Sequence, residues 1–137
     1  MTDFAAAAAT SDTVFTVDSL LKHMGNDAKA QAIVGKIVRD AVAARGAPIT
    51  EAARLIQNGQ FDEARRIFHV LRSTVGSLGA KRFVAAALAL EVAIAELRTA
   101  DLPALLAAVQ AEYGLVQEQA DAWLAARGDS AGGAAAG

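Results

Sequence analysis

His69 has three arginines, Arg65, Arg66 and Arg72, within about one helical turn of it. An imidazole is largely neutral at pH 7, because its ordinary pKa is about 6.5, and it then offers a ring lone pair to an electrophile such as phosphorus. Guanidinium groups beside it are suited to hold an anionic group through charge-assisted hydrogen bonds. The chemistry to look for is therefore transient covalent carriage of a small anionic group. Other site chemistries find little support. The chain has no cysteine, which removes disulfides, thiolate metal sites and thiol nucleophiles. No Gly-rich phosphate loop is present to hold a nucleotide. A carboxylate-bridged metal bundle needs Glu-x-x-His pairs, but Arg66 stands three before His69 and Leu20 three before His23. No metal and no cofactor are expected. His23 lies near a helix end and is read as structural or solvated.

The surroundings of His69 follow from its helix. Residues 61–78 advance about 100° each, and Ala64, Ile67, Phe68, Leu71, Val75 and Leu78 then share one apolar arc. His69 falls about 140° from Ala64, well outside that arc, among Arg65, Arg66, Arg72, Ser73 and Gly76. The imidazole is thus expected on the solvent side of a helix anchored by its other face. Ser73 and Gly76, one and two turns on, are small enough to leave the ring open to a large partner. Glycine inside a helix costs about 1 kcal/mol relative to alanine, so Gly76 at an outward position invites a steric explanation.

Other helices must position this one. A short helix is expected from about Val17 to Met24, stopped by Gly25. Asn26 or Asp27 can cap a second, running to about Arg45 with Ala30, Ile33, Val34, Ile37, Val38 and Ala41 on one stripe. Gly46-Ala47-Pro48 breaks or kinks it, the pattern resumes through Ala52, Ala53 and Ile56, and Asn58-Gly59 closes it. The segment from about Ala80 to Arg98 is apolar over much of its circumference, which points to a central place in a bundle. Asp101 is the expected N-cap of a last helix that buries Leu105, Leu106, Val109, Tyr113, Val116, Ala120 and Trp123. Short loops between long amphipathic helices imply antiparallel neighbours. The expected fold is all-α: an up-and-down antiparallel four-helix bundle with an additional short N-terminal helix.

The 137 residues suffice for one such domain, placed at 13–126, with a disordered Ala-rich N-terminus at 1–12 and a flexible Gly/Ala-rich tail at 127–137. A formal net charge of -2 gives no field that would draw in nucleic acid. The start lacks the positive stretch of a secretory signal, and the apolar run from Phe83 to Leu97 is interrupted by Glu91 and Glu96 and too short to span a bilayer. A cytoplasmic protein without nucleic-acid or membrane partners is expected.

The run His69-Val70-Leu71-Arg72-Ser73-Thr74-Val75-Gly76-Ser77-Leu78-Gly79-Ala80 resembles the phosphorylation-site motif of histidine-containing phosphotransfer (HPt) domains. His69, Leu71, Gly76, Leu78, Gly79 and Ala80 match that motif, and Arg72 replaces its lysine. Asp18, Leu20, Leu21 and Gly25-Asn26-Asp27 look like the family's opening helix and turn. Asn58-Gly59-Gln60 and Phe61 to Arg66 look like the turn and helix start before the histidine, and Leu90-Glu91 resembles a pair in the helix after it. The likeness covers roughly residues 14–125. One departure is Ser73, where the family usually has a glycine that lets a partner approach the ring.

The resemblance implies a phosphorelay intermediate. His69 would accept a phosphoryl group from a receiver-domain aspartate and pass it to another response-regulator receiver, with Arg72 as the stabilising cation. The partners would be receiver domains and a hybrid sensor histidine kinase. The receiver would supply the Mg-dependent site, so the chain is expected to be a phosphocarrier rather than an enzyme, and a monomer. Arg65, Arg66, Val70, Ser73 and Gly76 would form the docking surface, with Leu21 and Met24 of the first helix. The alternative is an HPt-like bundle that binds a receiver without phosphotransfer, which Ser73 keeps open. A histidine-kinase dimerisation module usually has an acidic residue directly after its histidine, whereas Val70 follows here, and the chain has no room for an ATP-binding domain.

Overall fold

The computed structural model describes residues 13–127. The elements are α1 (Asp18–His23), α2 (Ala28–Val42), α3 (Ala47–Gln57), α4 (Phe61–Gly76), α5 (Lys81–Ala95), one 3-10 turn (Thr99–Asp101) and α6 (Leu102–Ala126). No strand occurs among the described residues. None of their helices is long and apolar enough to cross a membrane. The expectations for residues 1–12 and 128–137 lie outside the described residues.

Four rods make the bundle. α2 and α3 are two halves of the first, broken where Arg45 takes a φ of 54°. Pro48 then falls in the first turn of α3, where a missing N–H costs nothing. The C-terminal half of α2 and Pro48 border Leu71, Thr74 and Ser77 of α4. α3 borders the start of α6, with Ala53 and Ile56 near Leu102 and Leu106. Arg45 at the break reaches Asp121 near the far end of α6, with bonds of 3.1 and 2.8 Å. α4 packs between α3 and α5, α5 packs on α6, and α6 returns to α2. Adjacent rods run in opposite directions. Gly76 of α4 meets Val84 of α5 while His69 meets Glu91. Phe83 of α5 then meets Tyr113 of α6, ring centroids 5.8 Å apart.

The core sits where these rods face one another, with Phe68, Leu78, Phe83, Leu90 and Leu124 wholly buried. The arc expected on α4 is buried as expected, with Ile67 partly covered at its edge. Two expectations fail. Ile33 is exposed, because the buried row of α2 is Ala30, Val34, Val38 and Val42, and Ile33 lies one step outside it. Nor is α5 central: it is one of four equivalent rods, so its outer flank stays in solvent although Leu88 and Val92 stand on it.

The helix starts differ in what holds them. Asp27, not Asn26, caps α2, its carboxylate accepting the Ala30 N–H at 2.8 Å. Asp27→Ala is expected to cost about 1 kcal/mol, measurable as a shift in the urea midpoint. Asp101 precedes α6 but makes no side-chain cap bond. The 3-10 turn has already put it in helical conformation, and its carboxylate accepts from Arg98 at 3.1 Å instead.

A short extended segment ties the N-terminal side of the bundle to the turn after α4. Thr16 N–H donates to Leu78 O at 2.8 Å, and Arg82 N–H donates to Thr13 O at 3.0 Å. Gly79 lies beneath this segment with a φ of +68°. A Cβ there would stand 2.5 Å from the Thr16 backbone oxygen. The glycine serves both a left-handed turn and a close chain crossing.

Candidate functional site

α4 presents the site because its pattern leaves no choice of face. Phe68 is fully buried, and the next residue, rotated by about 100°, points away from the core. The His69 side chain is 71 % exposed. Its inner edge is nevertheless engaged. Nδ1 lies 3.1 Å from Arg72 Nη2 and 3.6 Å from Glu91 Oε1.

Glu91 is the centre of the arrangement and the one buried charged residue among those described, at 8 % exposure. Its two oxygens face Arg72 in a forked ion pair, one bonded to Nε and the other to Nη2 at 3.2 Å. That hydrogen bonding raises the Arg72 pKa above its ordinary value, so the guanidinium stays charged. Three groups on two antiparallel helices thus form one cluster, with an exposed imidazole on top and a buried carboxylate beneath.

The cluster constrains the ring's proton. Arg72 can only donate, so when it bonds to Nδ1 the neutral ring carries its hydrogen on Nε2. When the hydrogen is on Nδ1, the Glu91 carboxylate is the nearest anion, 3.6 Å away and just beyond hydrogen-bond distance, and Nε2 presents its lone pair outward. Glu91 thus favours the tautomer that is nucleophilic at the open edge by its charge alone, against the bond from Arg72. It also stabilises the cation that the ring becomes when Nε2 forms a bond.

Arg72→Ala is expected to leave the buried carboxylate uncompensated and to cost about 2 kcal/mol of stability. Arg72→Ala combined with Glu91→Leu should recover most of that loss in a urea titration. An additive double variant would refute the coupling.

The residues expected at the site fall into two groups. Arg65, Arg66, His69 and Val70 line one hollow of about 380 Å³ with Glu91, and Ser73 is exposed one turn along. Arg65 lies 3.7 Å from Asp62, both in solvent, so this pair contributes little. Arg72 stands beside the ring but is fixed on Glu91, so its charge is already partly neutralised.

The rest need correcting. Gly76 is partly covered, and a Cβ there would stand 3.1 Å from Val84 Cγ2. Its small size lets α4 and α5 approach, and it also borders a surface hollow with Val84, Ala85 and Leu88. Leu21 is only 8 % exposed and belongs to the core, because α1 turns that residue onto the bundle. Met24 is half-buried against the same core. Leu21 lies on α1 and Met24 just past its end, and the segment leading into α1 is tied to the bundle at Leu78, nine residues past His69.

From sequence Glu91 was visible as an interruption of an apolar run and as half of the Leu90-Glu91 pair, but not as the partner of Arg72 and His69. The signal available was a lone carboxylate set among core positions, Ala87, Leu90 and Ile94. Its partner depends on the register of α4 against α5. Comparison with protein-family models, curated proteins and solved structures finds no match to this chain.

Proposed function

We propose that the chain is a phosphocarrier of HPt type, taking a phosphoryl group from an aspartyl phosphate on one receiver domain and delivering it to the aspartate of another. The observation that carries this reading is a histidine with an open outer edge and an inner nitrogen set against a buried carboxylate. In the forward step the Nε2 lone pair attacks phosphorus, the N–P bond forms, and the acyl-phosphate P–O bond breaks with the electron pair leaving on the aspartate. The Nδ1 hydrogen stays on the ring, and the Glu91 carboxylate 3.6 Å away offsets the positive charge the ring acquires, so no base is needed. Delivery is the reverse, with a receiver carboxylate attacking and the imidazole leaving. Arg65 and Arg66 supply positive charge near the transferred group. The expected setting is the cytoplasm, with a hybrid sensor histidine kinase upstream and the chain acting as a monomer.

One observation favours a second reading, an HPt-like bundle that binds a receiver without accepting phosphate. The Arg72 bond to Nδ1 favours the tautomer whose Nε2 is occupied by hydrogen. Incubation with a receiver carrying labelled aspartyl phosphate separates the two. Acid-labile, base-stable label on the chain supports carriage. Tight receiver binding without label supports the second reading and rejects the first.

A further inference from the structure

We propose that the receiver docks on the outer apolar flank of α5, beside His69, and not on α1. This rests on the phosphocarrier reading for the partner's identity. Five large apolar side chains are exposed among the described residues, and four of them, Val70, Leu88, Val92 and Leu97, lie on α4, on α5 or just past the end of α5. Leu88 and Val92 are 45 % and 40 % exposed. They bracket Glu91, whose carboxylate lies 3.6 Å from the His69 ring. Leu88 is three residues from Glu91, about 4.5 Å along the helix axis. A partner that brings an acyl phosphate to Nε2 over a patch of ordinary size, about 800 Å² on each side, therefore covers both.

The shape and charge of this side fit such an occupant. A groove of about 630 Å³ runs along α5 and α6, with Leu88, Val92 and Leu105 among its walls and Ala85, Ala89 and Ala104 between them. Small residues between larger ones allow a partner helix to lie close. In the hollow beside the ring stand Arg65 and Arg66, which suit the acidic site that an aspartyl phosphate implies. The surface thus sets cations and exposed apolar side chains side by side, as an acidic partner site with an apolar border requires. By contrast, α1 has Leu21 committed to the core.

The test is a binding titration of the full chain against receiver domains from the same genome, each loaded with beryllium fluoride to mimic aspartyl phosphate. Sedimentation of the chain alone is run beside it. Leu88→Glu with Val92→Glu should weaken receiver binding about 100-fold, as expected for two apolar contacts at an interface centre. Ile33→Glu, an equally exposed apolar position on α2, should leave affinity within about twofold, since isolated surface changes couple weakly to distant contacts. Thermal unfolding checks that both variants are folded. Unchanged affinity in the α5 variant overturns the proposal. So does a wild-type dimer that the α5 variant splits, since the flank would then belong to a second copy. Labelling of His69 by phosphoramidate, a small donor that needs no docking, reports separately on the phosphocarrier reading. Loss of that labelling in the wild type with the binding result intact would reject carriage and keep the docking surface.

Discussion

Replacing His69 by glutamine is expected to reduce phosphoryl uptake from a labelled receiver by more than about a thousandfold, with the thermal midpoint unchanged. The stability part follows from exposure, because a side chain 71 % in solvent contributes little packing. The activity part follows from the lack of a substitute nearby. The Thr74 hydroxyl donates to Val70 O at 3.2 Å and the Ser77 hydroxyl donates to Thr74 O at 2.7 Å. Ser73 is exposed one turn away, but no imidazole or carboxylate is bonded to its hydroxyl to activate it. Glutamine keeps a polar group of similar reach without a nucleophilic nitrogen. Phosphoryl label is read after acid and base treatment on matched gels. Acid-labile label of wild-type intensity on the His69→Gln chain would move the acceptor elsewhere, with His23 the next histidine to replace.

Gly79→Ala should be the most damaging single-methyl change at the bundle surface, costing about 3 kcal/mol. A non-glycine residue at a φ of +68° carries about 1–2 kcal/mol of backbone strain. The added Cβ also collides at 2.5 Å with backbone of Thr16, which cannot rotate aside as a flexible side chain could. Relief requires residues 13–17 to lift, losing the Thr16–Leu78 bond and uncovering Val17. Urea unfolding measures the loss, and amide exchange at Thr16 and Arg82 locates it. His69 lies ten residues back, nearly three helical turns, so its labelling by a small donor should survive in the folded fraction. An unaltered urea midpoint would show that the crossing carries no stability.

These outcomes bear on what a single sequence can disclose. Helix α4 was legible because its apolar and polar residues segregate sharply, so the outward placement of His69 followed from angle alone. The break near Gly46 and Pro48 was legible from backbone chemistry. Helix α5 was not, since alanine, leucine and valine occur all round it, and amphipathic contrast is the only local signal of which flank is buried. Glu91 and Arg72 were each visible, but their pairing depends on a non-local register between two helices. Gly76 illustrates ambiguity of another kind. A small residue admits a partner, a neighbouring helix or both, and at Gly76 the Val84 side chain shows the helix contact while the residue stays partly exposed. The membership of Leu21 in the core likewise depended on how a six-residue helix lies on the bundle.

The position of Nδ1, bonded to Arg72 and facing Glu91 at 3.6 Å, has a stereochemical outcome. With that nitrogen turned toward the protein, only the far nitrogen can be substituted, so any phosphoryl group carried here is confined to the tele isomer. The pros isomer would require the ring to flip and abandon both neighbours. Nitrogen-15 correlation spectra of the imidazole, which distinguish the two regioisomers by their coupling to phosphorus, should show the tele species alone.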